Sequence, residues 1–402
     1  MSRVDLPAQE TQSPRLAGRD VASLALMGVA IFVANTFETL PVGLLGAISS
    51  SLGTTEQGAG LLVSSYSIVV VLGAIPMSSL VARRDARTTL VVLFGVFALS
   101  AILMTASASL PMAIAARLVG GAAHAVLYTA VFRVALSVVP AGRHGVAAGA
   151  VSGGNAIAQS LGVPAAAALG TATSWQVPVG LLAGAFAVMA VLAVLLVPAG
   201  AGAAEPGMTA RAALRAVVHL PLLRVGVTIA VLITGQFIAY TYVEPLLRAA
   251  GVASSSVSIV LLGYGVASVV GLVAVSRLSD RRPALTLRVI GALVALSLAA
   301  LWFAQASQTA AVVSVIAWGL TFGAVPVLVQ VLALRAAGRD PQVAPSMVNT
   351  TFNIGITAGA VAGGQIAAAA GTAALPAVSA AVVLAVVAVS LVPRWLPRDR
   401  PV

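Results

Sequence analysis

The sequence predicts an all-α polytopic membrane protein, with twelve transmembrane helices in two pseudo-symmetric six-helix bundles. Three observations carry this prediction. Hydrophobic residues make up 60% of the 402-residue chain and charged residues only 8%, and the mean hydropathy is +1.06. Soluble domains contain about 25% charged residues and cannot cover so much apolar surface. Apolar runs long enough to cross a bilayer also recur along the chain, and the second half of the sequence repeats positions of the first.

The composition excludes several classes of function. The net charge of +11 comes from 22 basic residues, all of them Arg, which lie in short clusters without a basic stripe or interleaved aromatic residues. Nucleic-acid binding is therefore not expected. A sequence without Cys excludes disulfides, thiolate metal sites and Cys nucleophiles, and three dispersed His residues do not predict a metal site. Because the chain also contains no Lys, it has no Lys-containing phosphate loop for ATP, and neither an enzyme nor a cofactor is expected.

The orientation of the helices follows from their loops. Arg residues concentrate in the terminal segments and in every second loop, whereas the opposite loops contain essentially Arg248 alone. Under the positive-inside rule this asymmetry places both termini in the cytoplasm. The Ala- and Arg-rich, Lys-free composition is typical of a GC-rich bacterial genome, so we expect a bacterial inner (cytoplasmic) membrane protein. Each predicted helix has about 20 mostly apolar residues, and the twelve lie at 22–46, 58–81, 88–108, 111–135, 145–170, 177–198, 225–247, 257–279, 285–304, 309–334, 345–369 and 373–393.

The longest break between apolar runs is rich in Pro, Gly and Ala and then becomes basic. It predicts a cytoplasmic tail at 1–21, a first bundle at 22–198, a cytoplasmic linker at 199–224, a second bundle at 225–393 and a tail at 394–402.

An internal repeat supports this division. Parallel six-helix repeats about an axis along the membrane normal form one known transporter architecture. A gapless shift of 198 residues superposes Tyr66 on Tyr264, Gly73 on Gly271, Ser78 on Ser276, Arg83 and Arg84 on Arg281 and Arg282, Gly121 on Gly319, and Asn155 on Asn353.

The first apolar run contains a buried acid. Of the eleven acidic residues, Glu38 is the only one clearly placed in mid-membrane. A carboxylate at such a depth costs about 2.5–3.5 kcal/mol to insert, so it faces a cavity or a partner. We therefore expect Glu38 to be the proton-binding group of a transporter.

A partner at matching depth is available in the fourth run. Glu38 and Arg117 both lie roughly 10–12 Å below the outer surface, at a rise of 1.5 Å per residue. An ion pair between them is expected because a buried Arg is itself costly; the alternative is a static pair that only holds helices together. His124 follows Arg117 by two turns on one helix face and is either a proton relay or a packing residue.

Two cytoplasmic-loop segments share a spacing that resembles a known signature, Gly-x4-Gly-x3-Asp-Arg, of the major facilitator superfamily. An Asp that caps a helix and pairs with Arg across the loop would latch one conformation; alternatively, the Arg residues only enforce topology. The first copy has Ala82 where the Asp is expected, and Ser78 and Ser276 replace the second glycine. The conformational loop motif comprises Gly73, Arg83, Arg84, Gly271, Asp280, Arg281 and Arg282.

Further segments resemble the same superfamily, in its drug:proton antiporter group and near its sugar-efflux and chloramphenicol-resistance-like exporters. Arg117-x-x-x-Gly121 with His124 resembles the fourth-helix signature of that branch. Gly153, Gly162 and Pro164 resemble the glycine ladder of its antiporter-like fifth helix. The resemblance covers about residues 22–393 and implies a twelve-helix exporter that exchanges its substrate for protons.

Uncharged polar side chains are the candidate substrate ligands. Amides, phenols and an indole offer hydrogen bonds and stacking without charge, which suits a neutral or amphipathic polar molecule. The repeat places Glu38 on Gln236, so proton handling is expected in the first half and substrate contact largely in the second. Glu244, near the outer rim, is expected to be solvated; the alternative is that it takes part in the coupling. The substrate candidates are Asn35, Asn155, Gln236, Tyr240, Tyr242, Trp318, Gln330, Asn349 and Asn353.

The expected function is proton-coupled export of a small polar or amphipathic molecule, such as a drug, antibiotic, sugar or related metabolite, by alternating access. The expected partners are this substrate, protons and the lipid bilayer, and the chain is expected to be monomeric. Import by proton symport, which shares the fold, is one alternative. A membrane sensor that binds ligand without transport is another.

Overall fold

The computed structural model describes residues 18–81, 84–140, 144–201, 220–338, 343–393 and 395–397. Within these ranges the secondary structure is helical, without a β-strand. The α-helices are α1 (Gly18–Thr39), α2 (Leu45–Ser51), α3 (Glu56–Val81), α4 (Ala86–Thr105), α5 (Leu110–Ser137), α6 (His144–Ile157), α7 (Val163–Ala172), α8 (Gln176–Leu196), α9 (Leu220–Tyr240), α10 (Val243–Ala249), α11 (Ser254–Arg281), α12 (Pro283–Phe303), α13 (Gln308–Phe322), α14 (Val325–Ala337), α15 (Val343–Ala370) and α16 (Leu375–Ser390).

Eleven helical runs of the described residues are long and apolar enough to cross a membrane. The remaining predicted span, 145–170, corresponds to α6 and α7, joined by a π-helical turn at Ala158–Gly162. Pro164 accounts for this turn, because it has no N–H to donate to the carbonyl of Ser160, four residues earlier. The fifth predicted span is therefore helical, but a π-helical turn interrupts its α-helical hydrogen bonding.

Three of the predicted spans contain a helix break at or near a proline. The first span divides between α1 and α2 around a 3-10 turn at Leu40–Gly43, which contains Pro41. The seventh divides between α9 and α10, and the tenth between α13 and α14. Prolines that cannot donate a backbone hydrogen bond lie next to all three breaks. Breaks of this kind are tolerated where protein, and not lipid, surrounds the exposed backbone groups.

The repeat in the sequence is also present in the fold. A shift of 198 residues moves α3 onto 254–279, and α11 occupies Ser254–Arg281. Equivalent close contacts recur as well: Gly121 leaves no room for a Cβ beside the carbonyl oxygen of Tyr66, and Gly319 leaves none beside that of Tyr264. Small residues at such positions allow two helices to approach closely.

The two halves meet at two helix–helix contacts that the internal repeat makes equivalent. Helix α3 packs against α15, and α11 packs against α7 and the π turn before it. At the end of the helices that the Arg pattern predicts to face away from the cytoplasm, here called the outer end, α10 also contacts α2. Tyr242 lies in this seam, where its phenol fills the space beside Gly60 of the first half and Gly364 of the second.

Candidate functional site

Glu38 is the penultimate residue of α1, and only 6% of it is exposed. Its position follows from the end of the helix. The carbonyl of Phe37 would normally accept from the N–H four residues later, but that residue is Pro41, which has none. The guanidinium of Arg117, which is fully buried, takes this role: Nη1 donates to the carbonyl of Phe37 at 2.8 Å, and Nη2 donates to the carbonyl of Glu38 at 2.5 Å.

Arg117 also binds α3 and two aromatic rings. Its Nε donates to the carbonyl of Leu62 at 2.8 Å. Its Cζ lies 4.1 Å from the ring centroid of Tyr66 and 5.3 Å from that of Phe37, within the range of cation–π attraction. The residue thus caps the carbonyl end of α1 and ties that end to α3, while its charge remains close to the Glu38 carboxylate.

The predicted ion pair between the side chains of Glu38 and Arg117 is not formed. Arg117 directs its donors to backbone carbonyls, and within the described chain the ion-pair partner of Glu38 is His124, whose Nε2 lies 3.8 Å from Oε2. The other carboxylate oxygen, Oε1, is buried without a hydrogen-bond partner among the described atoms. Depth along the helix, on which the prediction was based, brings the residues together but does not decide which atoms of Glu38 the guanidinium binds.

His124 stands between a phenol and a carboxylate. Its Nδ1 lies 2.9 Å from Oη of Tyr66, and its Nε2 faces Glu38. Neutral imidazole donates from one ring nitrogen and accepts at the other, so Nδ1 can hydrogen-bond the phenol of Tyr66, whereas the 3.8 Å between Nε2 and the Glu38 carboxylate is longer than a hydrogen bond. Tyr66 and His124 also pack edge to face, with centroids 5.5 Å apart.

A chain of neutral polar groups extends from this buried cluster. Asn35, one turn before Glu38, donates from Nδ2 to Oη of Tyr128 at 3.0 Å and to Oδ1 of Asn155 at 2.6 Å. Asn35 is buried, whereas Tyr128 and Asn155 are partly exposed. The three side chains link the neighbourhood of Glu38 to a partly exposed part of the first half. The structure therefore brings together two of the predicted ligands, Asn35 and Asn155, beside the predicted proton site.

Two residues of this site were missed at the level of sequence. In the sequence Tyr66 stands out only as a repeated position, and Tyr128 belongs to none of the motifs. Tyr128 follows His124 by four residues and therefore shares its helix face, a spacing that could have identified it. No comparable spacing signal links Tyr66 on α3 to His124 on α5.

The second half has an uncharged cluster at the equivalent place. Trp318 donates from Nε1 to Oε1 of Gln236 at 2.7 Å, and Gln236 donates from Nε2 to Oη of Tyr264 at 3.0 Å. Tyr240 packs edge to face on Trp318, with centroids 5.9 Å apart. Gln236, Tyr240 and Trp318 were predicted to contact substrate; the structure places them together, but buried and bonded to one another.

The other predicted ligands lie elsewhere. Tyr242 donates to the carbonyl of Ala360 at 3.2 Å within the outer seam. Asn353 is buried and donates to the carbonyl of Asn349 at 3.0 Å, while its Oδ1 has no hydrogen-bond partner among the described atoms. Asn349 and Gln330 are partly exposed.

The glycine ladder of the fifth span contributes unequally. A Cβ at Gly162 would overlap the side chain of Thr36, so that position requires a small residue. A Cβ at Gly153 would meet nothing within 4 Å, whereas one at Gly154 would overlap the carbonyl oxygen of Gly28. The close approach of α1 and α6 therefore depends on Gly154 and not on the predicted Gly153.

The predicted loop motif is only partly described. Arg83 lies outside the described residues, as does the side chain of Asp280; Arg84, Arg281 and Arg282 are exposed. Gly73 and Gly271 are buried at helix contacts.

A different acid acts in the first of these loops. Asp85 caps α4 by accepting from the backbone N–H of Thr88 at 2.8 Å, and its Oδ1 accepts from the N–H of Gly200 at 3.1 Å. Arg133 donates across the same loop to the carbonyls of Val81 and Arg84.

The expectation that Glu244 is solvated was wrong. Only 8% of the residue is exposed, and its Oε2 accepts from the backbone N–H of Gly46 at 2.6 Å. Its Oε1 lies 3.0 Å from Nε of Arg248, which in turn pairs with Glu56. The position of Glu244 near the end of its span indicates its depth along the helix. Its burial depends instead on contact with the other half of the molecule. Within the described chain, no group of three potential metal-ligating His, Asp or Glu side chains is present.

Comparison with known proteins places this architecture and site in context. A family model described as the Major Facilitator Superfamily matches residues 27–344. A chloramphenicol efflux pump of Mycobacterium tuberculosis (strain CDC 1551 / Oshkosh) is 28% identical over 354 residues, which cover 86% of this chain and 85% of that protein. A protein of Helicobacter acinonychis (strain Sheeba) named "Probable sugar efflux transporter" is 27% identical over 343 residues, covering 83% and 86%.

A solved structure is similar over almost the whole chain. It is the crystal structure of a bacterial homologue of the human lysosomal transporter Spinster, in an inward-facing and unoccupied conformation. The TM-score is 0.66 with 14% sequence identity, and the match covers 93% of this chain and 94% of that chain. At this level of identity the likeness concerns the fold alone.

Proposed function

Because the chain belongs to the Major Facilitator Superfamily, we propose that it is a proton-coupled secondary transporter that exports a small polar or amphipathic molecule by alternating access. The observation that carries the proposal is the buried Glu38 carboxylate, with one oxygen facing His124 and the other without a hydrogen-bond partner among the described atoms. A buried acid in a membrane segment is costly and is typical of a proton pathway. Relatives named as efflux pumps favour export over import.

The charge arrangement supports proton coupling. The fully buried Arg117 is fixed by three backbone carbonyls and supplies a constant positive charge near Glu38. Ionised Glu38 is attracted by that charge, while burial favours the neutral acid. A conformational change or a nearby substrate that alters either effect would shift the protonation of Glu38. Each proton that crosses the membrane supplies about 2.3 kcal/mol per 100 mV to drive transport.

Neutral polar groups lie between a partly exposed part of the first half and Glu38. Asn155 and Tyr128 are partly exposed and lead through Asn35 to the immediate neighbourhood of Glu38. Amide and phenol groups recognise hydroxyl, amide or nitro oxygens without requiring a charge. A drug or antibiotic, or a sugar or related metabolite, has groups that can bond to these side chains. Substrate binding at Asn35 and proton binding at Glu38, one helical turn apart on α1, would then compete with or influence each other.

The test is the substitution Glu38→Gln, which removes the titratable group with little change of shape. The substrate is first sought with a drug-susceptibility panel in an efflux-deficient host that produces the protein, with chloramphenicol included as one probe. The purified protein is then placed in proteoliposomes with an imposed pH gradient and an entrapped pH dye. The wild type should move protons in the direction opposite to the probe, whereas Glu38→Gln should not.

The control is Asp20→Asn, which neutralises an acid in the first turn of the same helix, far from His124. This variant should transport like the wild type. Unaltered pH-driven transport in Glu38→Gln would remove Glu38 from the mechanism. Proton movement in the same direction as the substrate would indicate symport, and tight binding without any flux would indicate a ligand sensor.

A further inference from the structure

One contact in the outer seam joins two residues that the internal repeat makes equivalent. Gly46 of α2 and Glu244 of α10 are separated by 198 residues, the offset of the repeat, and the N–H of Gly46 donates to Oε2 of Glu244 at 2.6 Å. Two positions related by a two-fold axis can touch only where that axis passes between them. The contact therefore lies on the pseudo-two-fold axis, at the centre of the outer face.

The contact is also close in a steric sense. A Cβ on Gly46 would lie 2.7 Å from Oε1 of Glu244 and 2.9 Å from Nη2 of Arg248. Such separations are too short for a carbon atom beside these groups, so a side chain at position 46 would displace the carboxylate. Glycine at this position allows the backbone of the first half to reach the acid of the second.

A third charged residue extends the contact across the seam. Arg248 lies one turn after Glu244, and its Nε is 3.0 Å from Oε1 of that residue. Its Nη2 pairs with Oε1 of Glu56, at the start of α3 in the first half. The network thus contains two acids, one base and one backbone N–H, and two of its links cross from one half to the other.

The two crossing links differ in environment. The side chain of Glu244 is 10% exposed, while those of Arg248 and Glu56 are 35% and 28% exposed. Exposed ion pairs are screened by water and salt and contribute little. A buried charge-assisted hydrogen bond is stronger, so the Glu244 link should dominate. Glu244 and Arg248 also line a cavity of about 620 Å³ at this outer face.

We propose that Glu244, Arg248 and Glu56, closed on the N–H of Gly46, form the outer gate of the transporter. Opening the outer side would break the links of Glu244 to Gly46 and of Arg248 to Glu56. The Glu244–Arg248 pair lies within the second half and would remain, so neither Glu244 nor Arg248 would be left without a partner. The gate therefore favours the outward-closed state while allowing reversible opening. This inference rests on the alternating access of the proposed function, but not on the role of Glu38.

The test measures the distance between the outer ends of the two halves. The sequence has no Cys, so spin labels can be attached at two introduced sites, Ser51→Cys and Ser255→Cys, which are exposed and lie on opposite halves. Pulsed electron paramagnetic resonance in nanodiscs, without substrate or pH gradient, gives the populations of short and long distances. The parent pair should be mainly short.

Three variants should increase the long-distance population: Glu244→Gln and Gly46→Ala several-fold, and Glu56→Gln less. The control for Gly46→Ala is Gly180→Ala, since a Cβ at Gly180 meets nothing within 4 Å; the control for the acids is Asp20→Asn. Both controls should match the parent. Each variant must give a single monodisperse species and a cooperative melt before its distances are compared. Arg248→Lys is a further variant, in which a smaller increase of the long-distance population is expected.

Distance distributions that stay unchanged in Glu244→Gln and Gly46→Ala would overturn the gate. Because the measurement uses no proton gradient, it separates the gate from proton coupling. A shifted distribution together with normal transport in Glu38→Gln would uphold the gate and reject the proton site. An unshifted distribution together with abolished transport in Glu38→Gln would do the reverse.

Discussion

The guanidinium of Arg117 donates to the carbonyl oxygen of Phe37 at 2.8 Å, in place of the backbone N–H that Pro41 lacks. This relationship explains why a fully buried arginine can lie inside the membrane without a carboxylate bonded to it. Its donors complete the end of a helix that the sequence interrupts. The same bonds hold Glu38, the next residue, at a fixed depth beside His124.

Arg117→Gln should lower the free energy of unfolding by about 3 kcal/mol, because hydrogen bonds from a buried charged group are lost and backbone carbonyls are left unpaired. The loss should be smaller, by about 1 kcal/mol, when Pro41→Ala is also present, since alanine restores an N–H at position 41. Thermal or denaturant unfolding of the wild type, Arg117→Gln, Pro41→Ala and the double variant, all purified in one detergent, measures this coupling. Additive losses would show that Pro41 and Arg117 act independently.

Trp318→Phe should reduce stability by about 1–3 kcal/mol, because Oε1 of Gln236 loses its buried donor. Trp302→Phe, at an exposed tryptophan of α12, is the matched control and should have little effect. The same variants separate two roles for Trp318. Packing predicts lower stability with an unchanged KM in transport assays, whereas direct substrate contact predicts a raised KM in a protein of normal stability.

Gly154→Ala should destabilise the protein by about 1–3 kcal/mol, since its methyl group would overlap the carbonyl oxygen of Gly28. Gly153→Ala should be neutral or slightly stabilising, because a Cβ there meets nothing within 4 Å and alanine is the better helix former. The melting temperatures of the two neighbouring variants provide the comparison. Equal melting temperatures would mean that α1 and α6 do not approach as closely as described.

Asp85→Ala should cost about 1 kcal/mol at neutral pH through loss of the helix cap, and Asp85→Ser should retain most of the stability. Burial raises the pKa of Asp85, but hydrogen bonds from Thr88 and Gly200 and the charge of Arg87 outweigh it, so the pKa lies below its ordinary value. A depressed pKa means that the stabilisation is present in the ionised state and is lost as the pH falls through the lowered pKa. The difference between wild type and Asp85→Ala should therefore disappear in acid; a constant difference would contradict the role of the charge.

The sequence predicted the helices and their repeat well, because hydropathy and length depend on local composition. It also predicted that Glu38, Arg117 and His124 would be neighbours, since depth along a helix follows from residue number. It did not predict the partner atoms. Whether Arg117 meets a carboxylate or a carbonyl depends on the break at Pro41, which interrupts what hydropathy alone reads as one continuous span.

Contacts between separate helices were the harder part. Tyr66 pairs with His124 because α3 packs against α5, a relationship that no spacing in the sequence expresses. The burial of Glu244 likewise depends on Gly46, which lies in the other half of the chain. Gln236 and Trp318 carry groups suited to a ligand, yet they satisfy each other, since tertiary packing decides which polar groups remain available.

The pairing of Gly46 with Glu244 places a limit on how alike the two halves can be. A perfectly symmetric ancestor would present the same residue from both sides of the axis: two glutamates would repel each other, and two glycines would supply no acceptor for either N–H. The contact is heterologous by necessity, with a donor backbone on one side and an acceptor side chain on the other. A duplicated chain could acquire this closure only after its copies had diverged at that position, and making the halves identical there would abolish it.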